Sequence, residues 1–229
     1  MRSISSSRSK FFYERFFEPT AKTMVLSDVD GTLLRGSLVL DHACLLHENG
    51  TVDLGEAPAA WLRDPKNEEL ITALANVYRD KLVGLRASEL FVTPFIDSVV
   101  GSPEKIYSTL ERLQRHRKSG HRVTLISGSP SFLLKPFARR FGFEAVGSLY
   151  HRDRNHRFTG EVTAMFGAEH KEKVVSQMPL ESYQRIIGYG DTASDIPLLS
   201  VANHSVLVDP NKETLKKFQE LKISEILLK

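Results

Sequence analysis

The sequence predicts an α/β protein in which a parallel sheet carries helices on both faces and a helical segment is inserted after the first strand. From Val123 onward, short β-rich runs alternate with amphipathic stretches, which is typical of successive strand and helix units. An earlier apolar run, residues 24–26, supplies a first strand. Residues 36–100 separate that strand from the later units, and this distance is longer than a single crossover needs.

The later elements can be placed in order along the chain. The segment 102–104 contains the capping serine, the proline and the acid that begin a helix, and this helix should end before Gly120. Its apolar face carries Ile106, Leu110 and Leu113. Further strands are predicted at 123–126, 185–188 and 205–208, with a helix at 131–141.

The inserted segment is predicted to form a helical cap. Residues 67–90 repeat apolar side chains at helical spacing, and prolines punctuate the rest of the insertion. An insertion at this point begins and ends at the carboxyl edge of the sheet, where open α/β sheets bind ligands. We therefore predict three parts: an N-terminal arm (1–22), a sheet-based core (23–35 and 101–229) and a helical cap (36–100).

Composition and charge restrict the class of protein. The 229 residues carry a formal net charge of only +3, which gives no reason to predict a nucleic-acid partner. No apolar run approaches the roughly 20 residues of a membrane helix. The single cysteine, Cys44, excludes an internal disulfide. These features favour a reducing, cytoplasmic setting, and they leave the oligomeric state open.

The N-terminal arm combines basic side chains with an aromatic cluster at 11–17. A short helix that packs its aromatic side chains onto the core would explain this composition. A targeting segment is the alternative, although the arm has no secretory apolar core and contains two glutamates.

Two carboxylates follow the first strand at once, in the segment Asp28-Val29-Asp30-Gly31-Thr32. Side chains alternate along an extended chain, so residues two apart point the same way. Such a pair can supply one carboxylate as a nucleophile and one as a proton donor and acceptor. The same residue pattern also occurs in ordinary turns and at the start of calcium-binding loops. Here, however, the chain continues with apolar residues rather than with further oxygen ligands.

Three later segments place polar side chains at the same edge of the predicted sheet. Ser127 begins a turn into a helix, where its hydroxyl and the following N–H groups can hold an anion. Lys171 lies in a charged stretch and, taken alone, would be assigned to a solvated helix start. Asp191 and Asp195 follow another predicted strand.

The converging carboxylates require a cation. Two like charges 4 Å apart cost about 4 kcal/mol even at an effective dielectric constant near 20. Oxygen donors without a nearby histidine or cysteine cluster suit Mg²⁺ better than Zn²⁺. A bound Mg²⁺ would also help an anionic nucleophile to approach an anionic phosphate.

These residues, in this order, resemble the motifs of the haloacid dehalogenase (HAD) superfamily of phosphohydrolases. Asp28 to Thr32 is similar to its first motif, Ser127 to its second, Lys171 to its third, and Asp191 with Asp195 to its fourth. The resemblance covers most of residues 23–208 and is strongest to the phosphoserine-phosphatase-like branch, subfamily IB. It implies a Rossmann-like catalytic core with a helical cap between the first and second motifs.

The resemblance also implies catalytic roles. Asp28 would attack phosphorus and become an aspartyl phosphate, while Asp30 would protonate the leaving alkoxide and then activate water. Ser127 and Lys171 would bind the phosphate oxygens and stabilise the transition state.

The implied metal and substrate sites use neighbouring groups. Mg²⁺ would rest on Asp28, the Asp30 carbonyl and Asp191, with Asp195 supporting this ligand set. Thr32 would fix the loop, and Gly128 would supply a backbone N–H to the substrate.

The resulting hypothesis is a Mg²⁺-dependent phosphatase that hydrolyses a small phosphorylated metabolite. A phosphotransferase or mutase of the same superfamily is one alternative, and a non-catalytic ligand-binding or regulatory domain is another. Phosphoserine phosphatases carry a glutamate nine residues beyond the nucleophile, and Ser37 stands at that position here. Phosphoserine is therefore disfavoured as the substrate.

Some basic residues and histidines have simpler explanations. Arg79 and Arg86 in the cap could meet an anionic substrate, although solvated helix-face charges also explain them. The basic segment 151–157 is predicted to be an exposed hairpin turn between two β-like runs. His42 and the other paired histidines are predicted to be solvated loop residues.

Overall fold

The computed structural model describes residues 21–63, 68–163, 167–210, 212–218 and 223–228, and the predicted N-terminal helix lies outside them. The strands of these residues are β1 (Thr23–Ser27), β2 (Arg122–Pro130), β3 (Glu144–Arg152), β4 (Phe158–Thr163), β5 (Arg185–Gly190), β6 (His204–Val208) and β7 (Glu225–Leu227). They form one sheet in the order β4-β3-β2-β1-β5-β6-β7. All neighbours pair in parallel except β3 and β4, which form an antiparallel hairpin.

The helices of the same residues alternate with the strands after residue 100. They are α1 (Leu38–Glu48), α2 (Ala57–Arg63), α3 (Glu68–Lys81), α4 (Val92–Val100), α5 (Ser108–Lys118), α6 (Ser131–Arg139), α7 (Gly167–Val175), α8 (Ile196–Ser200) and α9 (Lys212–Lys217). Within the described ranges, every helix is too short or too polar to cross a membrane.

The central strand β1 is buried on both faces, as its uninterrupted apolar sequence requires. Val25 packs on one face with Leu113 of α5 and Phe137 of α6. Its neighbours Met24 and Leu26 belong to a separate cluster on the other face, with side chains of α7 and α8. Because successive side chains of a strand point to opposite faces, the sheet has helices on both sides. The predicted α/β class is confirmed.

The predicted helix start at 102–104 is wrong. Residues Pro103–Lys105 form only a short 3-10 turn, and Ile106 is extended. The extended backbone pairs with the loop after β1: Ile106 bridges Leu34, the Arg35 N–H donates to the Lys105 carbonyl, and the Tyr107 N–H donates to the Leu33 carbonyl. These hydrogen bonds to a distant segment outweigh the local capping signal, so α5 begins at Ser108.

The inserted segment contains helices α1 to α4 and has a hydrophobic cluster of its own. Leu74 and Tyr78 of α3 are fully buried there, together with Tyr150 and Phe158 from the β3–β4 hairpin. The helical pattern expected over 67–90 ends at Lys81, because the chain turns at Gly84 (φ +84°) and pairs with the hairpin. The Gly84 N–H donates to the Phe158 carbonyl at 2.9 Å.

The histidine prediction is wrong for His42, which is fully buried within α1. Its Nε2 lies 2.6 Å from the Leu90 carbonyl oxygen, which can only accept, so Nε2 carries the proton and donates. Nδ1 then accepts a hydrogen bond from the Tyr78 hydroxyl at 2.8 Å. Burial lowers the pKa of His42 to about 4, although the bond to Leu90 opposes that shift. His42 is therefore a neutral structural group of the insertion.

Candidate active site

The loop after β1 brings the first two predicted residues to the carboxyl edge of the sheet. The Asp28 N–H donates to the Tyr189 carbonyl and continues the pairing with β5, while Val29 is buried in the core. Gly31 has φ +83°, a conformation that favours glycine, and its N–H donates to the Leu34 carbonyl. The strand therefore ends in a tight turn that leaves Asp28 and Asp30 at the site.

Lys171 is the buried cation of this site. It lies in α7 with only 3% of its surface exposed, so the solvated alternative does not hold. Its Nζ atom donates to Asp28 Oδ1 at 2.6 Å and to Asp195 Oδ1 at 2.5 Å. Burial alone would lower the pKa of Lys171, but the Asp195 and Asp28 carboxylates outweigh it and raise the pKa above its usual value. The ammonium group therefore keeps its charge.

Asp195 holds the loop after β5 in place. Its Oδ2 accepts the Asp191 and Thr192 N–H groups, each at 3.0 Å. Together with the bond to Lys171, these contacts engage both of its oxygens. Asp191 is fixed from another side, because the Thr32 hydroxyl donates to its Oδ1 at 2.8 Å. The expectation that Thr32 fixes the loop stays a prediction, and this hydrogen bond is the contact through which it could do so.

Gly31 is also required by a close approach between the two loops. A Cβ atom at this position would lie 2.2 Å from Asp191 Oδ2. Such a contact is far inside the van der Waals distance, so only glycine lets the Asp191 carboxylate reach the first loop without movement. Close packing of the β1 and β5 loops thereby brings Asp191 next to the predicted nucleophile.

The Asp30 carboxylate has a different environment from Asp28. Its Oδ1 accepts the Leu38 N–H at 2.8 Å, and its Oδ2 accepts the hydroxyls of Ser129 at 2.7 Å and Ser127 at 3.2 Å. Burial raises the pKa of Asp30, and these hydrogen bonds, the Leu38 one first, partly offset the shift. A carboxyl group with a raised pKa is suited to carry a proton.

Two serines therefore contact Asp30, and the sequence analysis assigned a role to only one of them. Ser127 was expected to bind phosphate, which stays a prediction; its hydroxyl donates to Asp30 and accepts the Ser129 N–H at 3.0 Å. Ser129 was missed as a site residue. The signal was present, because residues two apart on the extended β2 share a side. Gly128 lies between them, and its carbonyl accepts the Ser148 hydroxyl at 2.6 Å.

Three carboxylates form a group that fits a metal ion. One oxygen each from Asp28, Asp191 and Asp195 lies within 4.8 Å of the others. The group contains only hard oxygen donors, which is the chemistry that Mg²⁺ prefers. The Asp30 carboxylate is not part of this group, and the expected role of the Asp30 carbonyl as a metal ligand stays a prediction.

Asp28 lies in a part of the site where negative groups outnumber positive ones. Burial raises its pKa well above the usual value, the Lys171 ammonium lowers it, and the carboxylates of Asp195, Asp191 and Asp30 raise it again. One ammonium group faces several acids, so a further positive charge would favour the ionised form of Asp28. This imbalance arises from the same carboxylates and agrees with a cation site beside Asp28.

The fold and the site define a hydrolase class: an α/β enzyme with an acidic pocket and a buried lysine at the carboxyl edge of a parallel sheet. The sequence model of the haloacid dehalogenase-like hydrolases matches residues 25–200. The chain belongs to this family, and it is an enzyme of the phosphatase type.

Similar proteins have a related sequence or the same fold. The chain is 25% identical over 221 residues to a histidinol-phosphatase of Neisseria meningitidis serogroup C (strain 8013), covering 87% of this chain and 96% of that protein. A protein of unknown function from Bordetella pertussis Tohama I has the same fold, with a TM-score of 0.69, 20% identity and coverage of 90% and 99%. A phosphoserine phosphatase in its apo form gives a TM-score of 0.60 at 14% identity, with coverage of 91% and 94%.

Proposed function

We propose that the enzyme hydrolyses a small phosphomonoester through a phosphorylated Asp28. The observation that carries this proposal is the division of labour between the first two acids. Asp28 contacts the Lys171 ammonium and belongs to the carboxylate group that fits a metal ion, whereas Asp30 is held by hydroxyl and amide donors outside that group. Burial raises the pKa of both acids, and the ammonium and a bound metal would favour the ionised form of Asp28. One acid is thereby prepared to attack and the other to carry a proton.

In the first step, an Asp28 carboxylate oxygen forms a bond to phosphorus as the bond from phosphorus to the leaving oxygen breaks. Asp30 gives its proton to that oxygen, so the product leaves as an alcohol. Lys171 stabilises the negative charge that is spread over the phosphoryl oxygens. Ser127, beside Asp30, is placed to donate to one of these oxygens once substrate displaces its present contact.

In the second step, Asp30 is ionised and accepts a proton from water. The water oxygen attacks the phosphorus of the aspartyl phosphate, the bond to Asp28 breaks, and inorganic phosphate is released. Asp30 ends the cycle protonated again. Its hydrogen bonds to Ser129 and to the Leu38 N–H hold the carboxyl group in one orientation through both steps.

Mg²⁺ is the cofactor that the site fits. We assign it to Asp28, Asp191 and the Asp30 carbonyl oxygen. Asp195 supports this set by holding the Asp191 backbone and Lys171, because both of its oxygens are already engaged. When bound, the metal neutralises negative charge between the nucleophile and the phosphate.

The inserted helices are proposed to act as a cap (36–100) on the core (23–35 and 101–229), where they select the leaving group. Ser37 precedes α1, and the first N–H of that helix, from Leu38, is the one that Asp30 accepts. The cap therefore begins in direct contact with the general acid. The absence of the glutamate at position 37 argues against phosphoserine, and a phosphorylated alcohol of another kind, in a cytoplasmic setting, is proposed instead.

The nucleophile assignment is tested with Asp28→Asn, using Asp80→Asn as the control on an exposed face of α3. Asp28→Asn should lower the release of phosphate from an aryl phosphate by at least about 10³-fold, while circular dichroism shows an unchanged fold. The control should keep wild-type turnover. Comparable turnover in Asp28→Asn would remove Asp28 as the nucleophile.

Two further measurements separate the alternatives. Rapid acid quenching of the wild-type reaction should give a peptide phosphorylated at Asp28 in mass spectrometry, and chelation of divalent metal should abolish turnover. An added alcohol acceptor should leave the phosphate yield unchanged; transfer of phosphate to the acceptor would favour the phosphotransferase alternative.

A further inference from the structure

A basic cleft lies between the insertion and the β3–β4 hairpin, and none of its lining residues belongs to the catalytic set. Its volume is about 470 Å³, which is in the range of small-molecule sites. The lining residues are Arg86, Ala87, Ser88, Arg152, Asn155 and His156. The lining contains two guanidinium groups and an imidazole, but no carboxylate.

The two walls of the cleft are fixed to each other by backbone hydrogen bonds. Arg86 pairs with Arg157 as an antiparallel bridge, and the Phe158 N–H donates to the Leu85 carbonyl at 2.9 Å. The Arg157 side chain also donates to the Gly84 carbonyl. The segment that carries Arg86 and the hairpin that carries Arg152 therefore form one continuous surface.

The Arg152 side chain and the backbone of the hairpin turn are held in place before any ligand binds. The Arg152 guanidinium lies 4.7 Å from the centroid of the Phe158 ring, a cation–π contact that limits its motion. Asp153 caps the hairpin turn by accepting the Asn155 and Arg157 N–H groups at 2.8 and 2.9 Å. His156 is held at φ +61°, in the left-handed region. Such strain in a non-glycine residue occurs most often where a turn serves a function.

The positive charges of the cleft form no ion pair with an acidic side chain in the part of the chain that the structure describes. Among the ion pairs of the described residues, none includes Arg86, Arg152 or His156. The nearby Glu89 carboxylate instead accepts the Arg86 backbone N–H at 2.6 Å. Two guanidinium groups on fixed walls favour a ligand with at least two oxyanion groups, because each guanidinium can bind one of them through paired hydrogen bonds.

We propose that this cleft is a binding site for a small polyanion carrying phosphate or carboxylate groups, separate from the catalytic pocket. Arg86 and Arg152 bind the two anionic groups from opposite walls, and Ser88 and Asn155 supply neutral hydrogen bonds. The volume of about 470 Å³ matches a small molecule, and we commit to that occupant rather than to a polymer. Binding would join the insertion to the hairpin and stabilise the pair.

The test measures binding of pyrophosphate and of citrate to the full chain by isothermal titration calorimetry in EDTA, without divalent metal. Pyrophosphate and citrate represent the phosphate and carboxylate sources. The double variant Arg86→Ala/Arg152→Ala should weaken binding of at least one probe by tenfold or more. The matched control Lys118→Ala/Arg139→Ala removes two exposed charges elsewhere and should stay within twofold of wild type.

Several outcomes would overturn the proposal. These are no binding of either probe at millimolar concentration, equal losses in both double variants, or no loss in Arg86→Ala/Arg152→Ala. Tighter binding of a single-stranded oligonucleotide that is lost in the same variant would replace the small molecule with a polymer. Hydrolysis of an aryl phosphate, and its inhibition by inorganic phosphate, should be unchanged in both double variants, which also shows that they fold.

Arg152→Lys gives a further check, because it keeps the charge and loses the paired hydrogen bonds. It should bind the preferred probe more weakly than wild type and more tightly than Arg152→Ala. Equal binding by Arg152→Lys and Arg152→Ala, both at the wild-type level, would contradict a role for Arg152.

Discussion

Replacement of Lys171 by methionine should destabilise the protein strongly and in a pH-dependent way. The lysine is buried between Asp28 and Asp195, at 2.6 and 2.5 Å. Methionine fills a similar volume but leaves two buried carboxylates without their cation. Removal of one partner from a buried ion pair costs about 3–5 kcal/mol of unfolding free energy, and we expect a loss in this range near pH 8.

The pH dependence follows from the direction of each pKa shift. Folding raises the pKa of Lys171. Its stabilising effect is therefore fully present at pH values below its pKa in the unfolded state, and it is lost only as the pH rises through its pKa in the folded state. Wild type therefore keeps that effect throughout pH 5–8, taken as a rough working range. In the variant, the pKa of Asp28 rises further, so Asp28 is protonated as the pH falls and the buried negative charge is removed. The difference in unfolding free energy between the variant and wild type should therefore become smaller.

Urea unfolding in EDTA at pH 8 and pH 5 measures both effects. Lys173→Met is the matched control, because Lys173 lies on the exposed side of the same helix, and it should change the unfolding free energy by no more than about 0.5 kcal/mol. The reasoning is refuted if Lys171→Met loses less than about 1 kcal/mol at pH 8, or if the loss is equal at both pH values.

Two other substitutions test the acid and the loop contact. Ser129→Ala removes a hydrogen bond that lowers the pKa of Asp30, so the alkaline limb of the pH profile of kcat/KM should move upward by about one pH unit. Ser131→Ala is the control, because the Ser131 hydroxyl donates to a backbone carbonyl, and it should leave this limb in place. A downward shift in Ser129→Ala would contradict the assignment of Asp30 as the acid. Gly31→Ala should lose about 1–3 kcal/mol of unfolding free energy more than Gly50→Ala. Both glycines have positive φ, but only Gly31 has a carboxylate 2.2 Å from the added Cβ. Equal losses would show that the two loops move apart to accommodate the Cβ.

The organisation of the site gives the two acids after β1 different surroundings. Asp28 and Asp30 come from one loop, yet β1 delivers the first toward α7 and the second toward the end of β2. The proposed cap contacts Asp30 through the hydrogen bond from the Leu38 N–H. Movement of the proposed cap would therefore act first on Asp30, the proposed general acid, and leave the contact between Asp28 and Lys171 in place.

The comparison between sequence and structure is clearest for the serines after β2. Ser127 was identified because it ends an apolar run, but Ser129 makes the shorter contact to Asp30. β2 extends to Pro130, four residues beyond the run that predicted it. The prediction therefore missed that both serines lie in the strand and share one side of it. Strand length depends on the neighbouring strand, and a single sequence does not contain that information.

Local sequence alone predicted strands β1, β2, β5 and β6 and the carboxylates that follow β1 and β5, because apolar periodicity and turn chemistry act over a few residues. Lys171 was assigned to the site only through the resemblance of the motifs. Only the tertiary structure decided how these groups are paired. The bond between Lys171 and Asp28 joins residues 143 positions apart, and the burial of His42 depends on a carbonyl 48 positions away. Such contacts form when separate elements pack together, so burial and partner choice follow from the whole fold rather than from any one segment.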